Sequence, residues 1–301
     1  MTIESPARQP DHPDGPPEQL TDILGLEQLE VDLFRGRSPN EDLQRVFGGQ
    51  VAGQALIAAG RTVPPERPVH SLHAYFLRPG DPAVPIVYNV DRIRDGRSFT
   101  TRRVVAVQHG KAIFTLSASF QVLEAGAEHQ FAMPPAPDPE SVPLWQDRLR
   151  EFGDQVPARW LRPRPVEIRY VGDPPWAARH REGDPEPRTM VWMRAVGALP
   201  ADPLVHVCAV VYASDMTLLD SVLVAQRVAW AEDTVTGASL DHAMWFHAPF
   251  RADDWLLYVQ EAPVTAMARG LARGHIYRRD GRLAVSVVQE GLVRVAEPGP
   301  R

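Results

Sequence analysis

Twice along this chain a segment with the pattern of an enclosed helix is followed by a series of strand-like segments, and each series sets a glycine turn before its last long strand. The first series runs through 71–76, 85–92, 99–108 and 112–120, with His109-Gly110-Lys111 as its turn. The second runs through 239–246, 255–261, 268–277 and 283–290, with Asp280-Gly281-Arg282 as its turn. A glycine between two strand patterns is an antiparallel hairpin signal. The two series differ residue by residue and agree in layout, which reads as an internal duplication.

The helix-like segments narrow the fold further. Residues Gly48 to Gly60 are apolar nearly all round and rich in small side chains. A helix with no polar face has to be enclosed, and small residues let a surrounding sheet come close. In the second half we assign the matching helix to 214–226, with Ser214 or Asp215 as its N-cap. One helix and four antiparallel strands, twice over, describe an α+β chain in which a curved sheet buries one face on a central helix.

Proline marks the boundaries. Residues 1–18 are rich in Pro and acidic side chains, which bury too little apolar surface to order themselves, and read as a disordered tail. A Pro-rich linker is expected over 124–165, with a short helix near 144–152. The halves are then 19–123 and 166–296. At 301 residues the chain has room for both.

Charge and cysteine content exclude several classes. The net charge of -6 offers nothing to attract nucleic acid or an anionic membrane. No apolar run approaches the ~20 residues of a membrane span, and no signal peptide is evident. The single cysteine, Cys208, lies in an apolar run and rules out a disulfide within the chain. A reducing, cytoplasmic location is the expectation.

Several long motifs carry a resemblance. Arg45-Val46-Phe47-Gly48-Gly49-Gln50-Val51-Ala52-Gly53-Gln54-Ala55 and Val69-His70-Ser71-Leu72-His73-Ala74-Tyr75-Phe76-Leu77-Arg78-Pro79-Gly80-Asp81 resemble the N-terminal signatures of the acyl-CoA thioesterase II family. Tyr212-Ala213-Ser214-Asp215, Leu240-Asp241-His242-Ala243-Met244-Trp245-Phe246-His247 and Val287-Val288-Gln289-Glu290-Gly291 resemble its C-terminal ones. The resemblance spans roughly residues 23 to 295. It implies a double hotdog, two antiparallel sheets each wrapped around a central helix. It also implies hydrolysis of medium- to long-chain acyl-CoA with no metal or organic cofactor, and assembly into a homo-oligomer. The family's catalytic Asp, Thr or Ser, and Gln fall on Asp215, Ser239 and Gln289. Many members carry Thr where this chain has Ser239. Substrate contacts are expected at His73, Gly49 and Gln50.

The residue types suit that chemistry. A thioester carbonyl is already electrophilic, so the site needs a positioned water, a base and N–H donors for the oxyanion. A carboxylate supplies the base; a hydroxyl and an amide hold the water. Unsatisfied N–H groups at the start of a helix suit the oxyanion. A Gln inside the apolar strand Val285-Ser286-Val287-Val288-Gln289 must find a buried partner. His242 and His247 stand on opposite faces of a strand and do not share a metal. Ser239, Asp241 and His242, as strand neighbours, do not converge into a triad, and no nucleophile elbow is present. A hydratase on this fold would want His five residues after the Asp, where Asp220 stands. A non-catalytic acyl-CoA-binding protein is the remaining alternative.

Overall fold

A computed structural model describes residues 18–39, 44–153, 156, 160–178, 183, 186–230 and 235–296. The tail expected at 1–18 lies, except for residue 18, outside them. The elements in chain order are α1 (Leu20–Leu24), β1 (Leu26–Glu30), β2 (Leu33–Gly36), α2 (Gly48–Gly60), β3 (Val69–Phe76), β4 (Ile86–Asp95), β5 (Phe99–Gln108) and β6 (Lys111–Gln121). The second half follows with α3 (Trp145–Arg150), β7 (Val166–Val171), α4 (Pro175–Ala178), β8 (Arg188–Ala195), α5 (Pro203–Ser214), α6 (Asp220–Gln226), β9 (Val235–Ser239), β10 (Asp241–Phe246), β11 (Leu256–Ala266), β12 (Arg269–Arg278) and β13 (Leu283–Val295).

The strands form one antiparallel sheet in the order β1-β2-β4-β5-β6-β3-β10-β13-β12-β11-β8-β7, with β9 added beside β13. Read from either end the order is the same, so the two halves are copies of one topology. They fuse where β3 pairs with β10, His73 opposite Ala243. Each half has two strands before its helix that the sequence pattern did not reveal. The glycine turns are as expected: Gly110 and Gly281 sit at φ 70° and 87°, the left-handed region that glycine occupies without strain.

The concave side encloses α2, every residue of which is buried from Gly49 to Ala59. Beside it lies α5. Gly49 meets the Tyr212 carbonyl, and Gly60 at the other end meets Leu204, so the two helices run antiparallel. Any side chain at Gly49 would strike the α5 backbone.

The second central helix differs from the expected 214–226. It begins at Pro203, capped by Asp202, whose carboxylate accepts the Leu204 N–H at 2.9 Å, and it ends at Ser214. Asp215 is therefore a C-cap, not an N-cap. The β-branched run Val205, Val207, Val210, Val211 is a weak helix former, and enclosure by the sheet overrides that preference. A turn then leads to the separate helix α6.

The linker packs as well as connects. The Pro137 carbonyl accepts the Trp192 indole N–H at 2.9 Å, and Met133 and Ala136 pack against Trp192, Trp255 and Tyr277 on the convex face of the second half. The expected short helix appears as α3.

Candidate active site

The antiparallel helix pair decides what meets at its ends. Because α5 runs back along α2, its C-cap residue Asp215 lands on the first turn of α2. A Cβ at Gly48 would lie 2.7 Å from the Asp215 Oδ2, so only glycine admits the carboxylate there. The Gly49 N–H donates to that carboxylate. The N-cap of α2 is Phe47, which offers no side-chain acceptor, so the first-turn N–H groups depend on partners from the other half.

Two strands of the second half complete the cluster. The Gln289 amide on β13 donates to Asp215 Oδ1 at 2.6 Å. The Ser239 hydroxyl, at the end of β9, donates to the same oxygen at 3.2 Å. Gln289 is fully buried, whereas Asp215 and Ser239 keep some exposure. Phe76 lies against Gly48 and packs on Phe114 with ring centroids 5.1 Å apart; Phe47 meets Tyr212 edge-on at 5.0 Å. The carboxylate thus faces an aromatic wall.

Burial pushes the Asp215 carboxyl up to about 6, and the hydrogen bonds from Gln289, Ser239 and the Gly49 N–H, with the Arg45 charge, keep it from rising further. At neutral pH it is ionised and a better proton acceptor than an exposed Asp. Arg45 is fixed by its bond to the Gly237 carbonyl at 2.9 Å.

Behind Gln289 stands His242, whose sequence neighbourhood suggests neither a metal site nor a triad. It is buried, and its Nε2 lies 2.9 Å from the Ser214 hydroxyl. Burial lowers it to about 4, so its ring is neutral, and a hydrogen bond with Gln289 opposes that shift. Beyond that contact, the His242 Nδ1 and the Gln289 Oε1 lack a hydrogen bond of ordinary geometry among the described residues. The need for a buried Gln partner was legible; its identity follows only from the β10–β13 register, in which Ala243 pairs Val288.

The remaining expected residues separate. His73 is on the convex face, stacked edge-on against Trp245 at 5.2 Å and pointing away from the cluster, because the buried neighbours Leu72 and Ala74 take the inward positions. Tyr75 shares that outer face. Gln50 directs its amide to the Arg37 carbonyl at 3.0 Å, so only its backbone reaches the first turn of α2. Asp241 accepts the Glu290 N–H at 2.7 Å and His247 bonds Ser286 at 2.9 Å, so neither joins Ser239. No group of three metal-ligating side chains converges among the described residues, and none of their helices is long and apolar enough to cross a membrane.

Comparison with known proteins follows the same division into halves. Residues 164–292 match the acyl-CoA thioesterase family and residues 37–121 its N-terminal domain. The chain is 43% identical to acyl-coenzyme A thioesterase 8 of Rattus norvegicus, over 91% of this chain and 88% of that one. It is 36% identical to acyl-CoA thioesterase 2 of Haemophilus influenzae, over 92% and 98%. Among solved structures it superposes on an acyl-CoA thioesterase II from Mycobacterium marinum with TM-score 0.75 and 46% identity, covering 93% of this chain and 99% of that one. A hot dog fold protein from Alicyclobacillus acidocaldarius, 21% identical, shares the fold at TM-score 0.74, over 92% of this chain and 98% of that one. This chain belongs to the acyl-CoA thioesterase family of thioester hydrolases, folded as a double hotdog.

Proposed function

We propose that the protein hydrolyses medium- to long-chain fatty acyl-CoA with a water held and activated at Asp215, Ser239 and Gln289. The observation that carries this reading is the convergence of the serine hydroxyl and the glutamine amide on one oxygen of a carboxylate raised to about 6. Asp215 takes a proton from the water as its oxygen attacks the thioester carbonyl. The developing oxyanion lies over the first turn of α2, where backbone N–H groups and the helix dipole favour negative charge. Collapse of the tetrahedral intermediate breaks the C–S bond, and the proton passes from Asp215 to the departing coenzyme A thiolate. Products are the free acid and the free thiol.

Each half contributes a part that the other lacks. The first supplies the helix start; the second supplies the base and the water ligands. Gly49 and Gln50 act through their backbone, and His73 takes no part. The aromatic wall of Phe76, Phe114, Phe47 and Tyr212 supports an apolar acyl chain of some length.

Release of thiol from palmitoyl-CoA and from a shorter acyl-CoA, by wild type and Asp215→Asn side by side, tests the reading. Release by wild type, with turnover lowered roughly 100-fold or more in the variant, is expected. Equal turnover by the folded variant removes Asp215 as the base. No release by wild type leaves an acyl-CoA-binding protein.

A further inference from the structure

The connection that leaves α2 is much shorter than the one that leaves α5. After α5 comes α6, which lays Val222 on Gly270 of β12, while its N-cap Leu219 lies on Gly291 of β13. After α2 the chain reaches β3 within eight residues. At the positions that match Gly270 and Gly291 the first half carries Thr100 on β5 and Phe120 on β6, Arg102 follows Thr100 on the same face, and an open cavity of about 510 Å³ remains. That volume falls in the range of small-molecule sites.

Four arginines line it, Arg61, Arg67, Arg92 and Arg102, with one acid, Asp95. Arg102 is 1% exposed and is held on every side: by the Thr62 hydroxyl at 2.8 Å, Asp95 at 2.7 Å and the carbonyls of Thr62, Arg94 and Thr101. It is a fixed positive floor, and it consumes Asp95. Arg92 is paired bidentately with Asp32. Arg67 is aimed by the Gly96 carbonyl and the buried Thr100 hydroxyl, both at 2.7 Å. Arg61 bonds the Leu26 carbonyl at 2.8 Å. Among the described residues, neither Arg61 nor Arg67 forms an ion pair with a carboxylate. Two uncompensated guanidinium groups thus face one basin over a third buried one, in a chain of net charge -6. Like charges held this way repel unless an anion sits between them, and the planar guanidinium fork fits phosphate oxygens.

We propose that this cavity binds a small molecule through a phosphate or diphosphate group, gripped by Arg61 and Arg67 above Arg102. The site is separate from Asp215, which lies at the opposite end of α2, roughly 20 Å away by helix rise.

Calorimetric titration with pyrophosphate and with adenosine diphosphate tests this, using wild type, Arg61→Ala, Arg67→Lys and Asp215→Asn. Arg61 is exposed, so its variant folds; Arg67→Lys keeps the charge and removes the fork. Expected is one-to-one binding by wild type and Asp215→Asn, weakened about tenfold or more by either arginine change. Tighter binding of the nucleotide shows that the adenosine is held too; equal affinity shows recognition of the diphosphate alone. No binding to wild type, affinity unchanged in both arginine variants, or binding lost in Asp215→Asn overturns the proposal.

Discussion

The two ends of the antiparallel helix pair are built alike and equipped differently. At one end the start of α2 has no side-chain cap and receives Asp215 from the end of α5. At the other end the start of α5 is capped by its own Asp202, and the residue that ends α2 is Arg61. The sheet repeats the contrast. Eight residues past the turn glycine, the second half has Gln289 opposite Ala272, whereas the first has Ala118 opposite Arg102. Large and small side chains exchange strands. One rung offers an amide to a carboxylate; the other fills the space with a guanidinium tied to the end of its own helix. The duplicated layout thus sets a hydrogen-bonded carboxylate at one end and a cluster of positive charge at the other.

Substitutions that erase this difference rank the contributions. Asp215→Asn carries the largest expected effect, the loss of turnover described above. It also stabilises the fold at neutral pH. A carboxyl raised in the folded state favours folding while protonated, below its unfolded value, and loses that contribution as pH rises through about 6. Removing the charge recovers roughly 3 kcal/mol at most, read as a higher melting temperature above pH about 6 and none in acid.

Gln289→Ala gives the Asp215 rung the small residue that its counterpart has at Ala118. Turnover should fall about tenfold or more, because the water loses a ligand and Asp215 a hydrogen bond. Arg102→Met, on the other rung, should leave turnover per folded molecule unchanged. It should lower stability by about 2 kcal/mol, seen in denaturant midpoints, because the Thr62 hydroxyl, still donating to the Ala59 carbonyl, loses its donor, and the Thr62, Arg94 and Thr101 carbonyls lose the guanidinium. A drop in turnover with stability intact would couple the two ends. Ser239→Thr is the mildest change. It keeps the hydroxyl and adds a methyl that restricts its rotamer, so kcat should stay within about threefold.

Much of this contrast was legible in the sequence and some was not. The duplicated layout, α2 and both glycine turns follow from local pattern, since apolarity on all faces and left-handed glycine are local requirements. The helix α5 was hidden, because a run of valines reads poorly as helix until a sheet encloses it. The outer strands were missed because they are short and precede their helices, outside the helix-then-strands layout that the two halves repeat. Asp215, Ser239 and Gln289 came from motif resemblance; that they touch depends on the helices being antiparallel, which no motif records. His73 shared a motif with genuine site neighbours and lies on the other face, where strand alternation put it. His242 and Arg102 are defined by cross-strand register, a long-range property.

The pH dependence of kcat/KM for palmitoyl-CoA hydrolysis tests the central claim most directly. If the ionised Asp215 carboxylate is the base, the rate falls as pH drops through about 6, and Gln289→Leu moves that limb to higher pH by removing the hydrogen bond that favours ionisation. A limb near the ordinary aspartate value of 3.8, or one that Gln289→Leu leaves in place, would contradict the account.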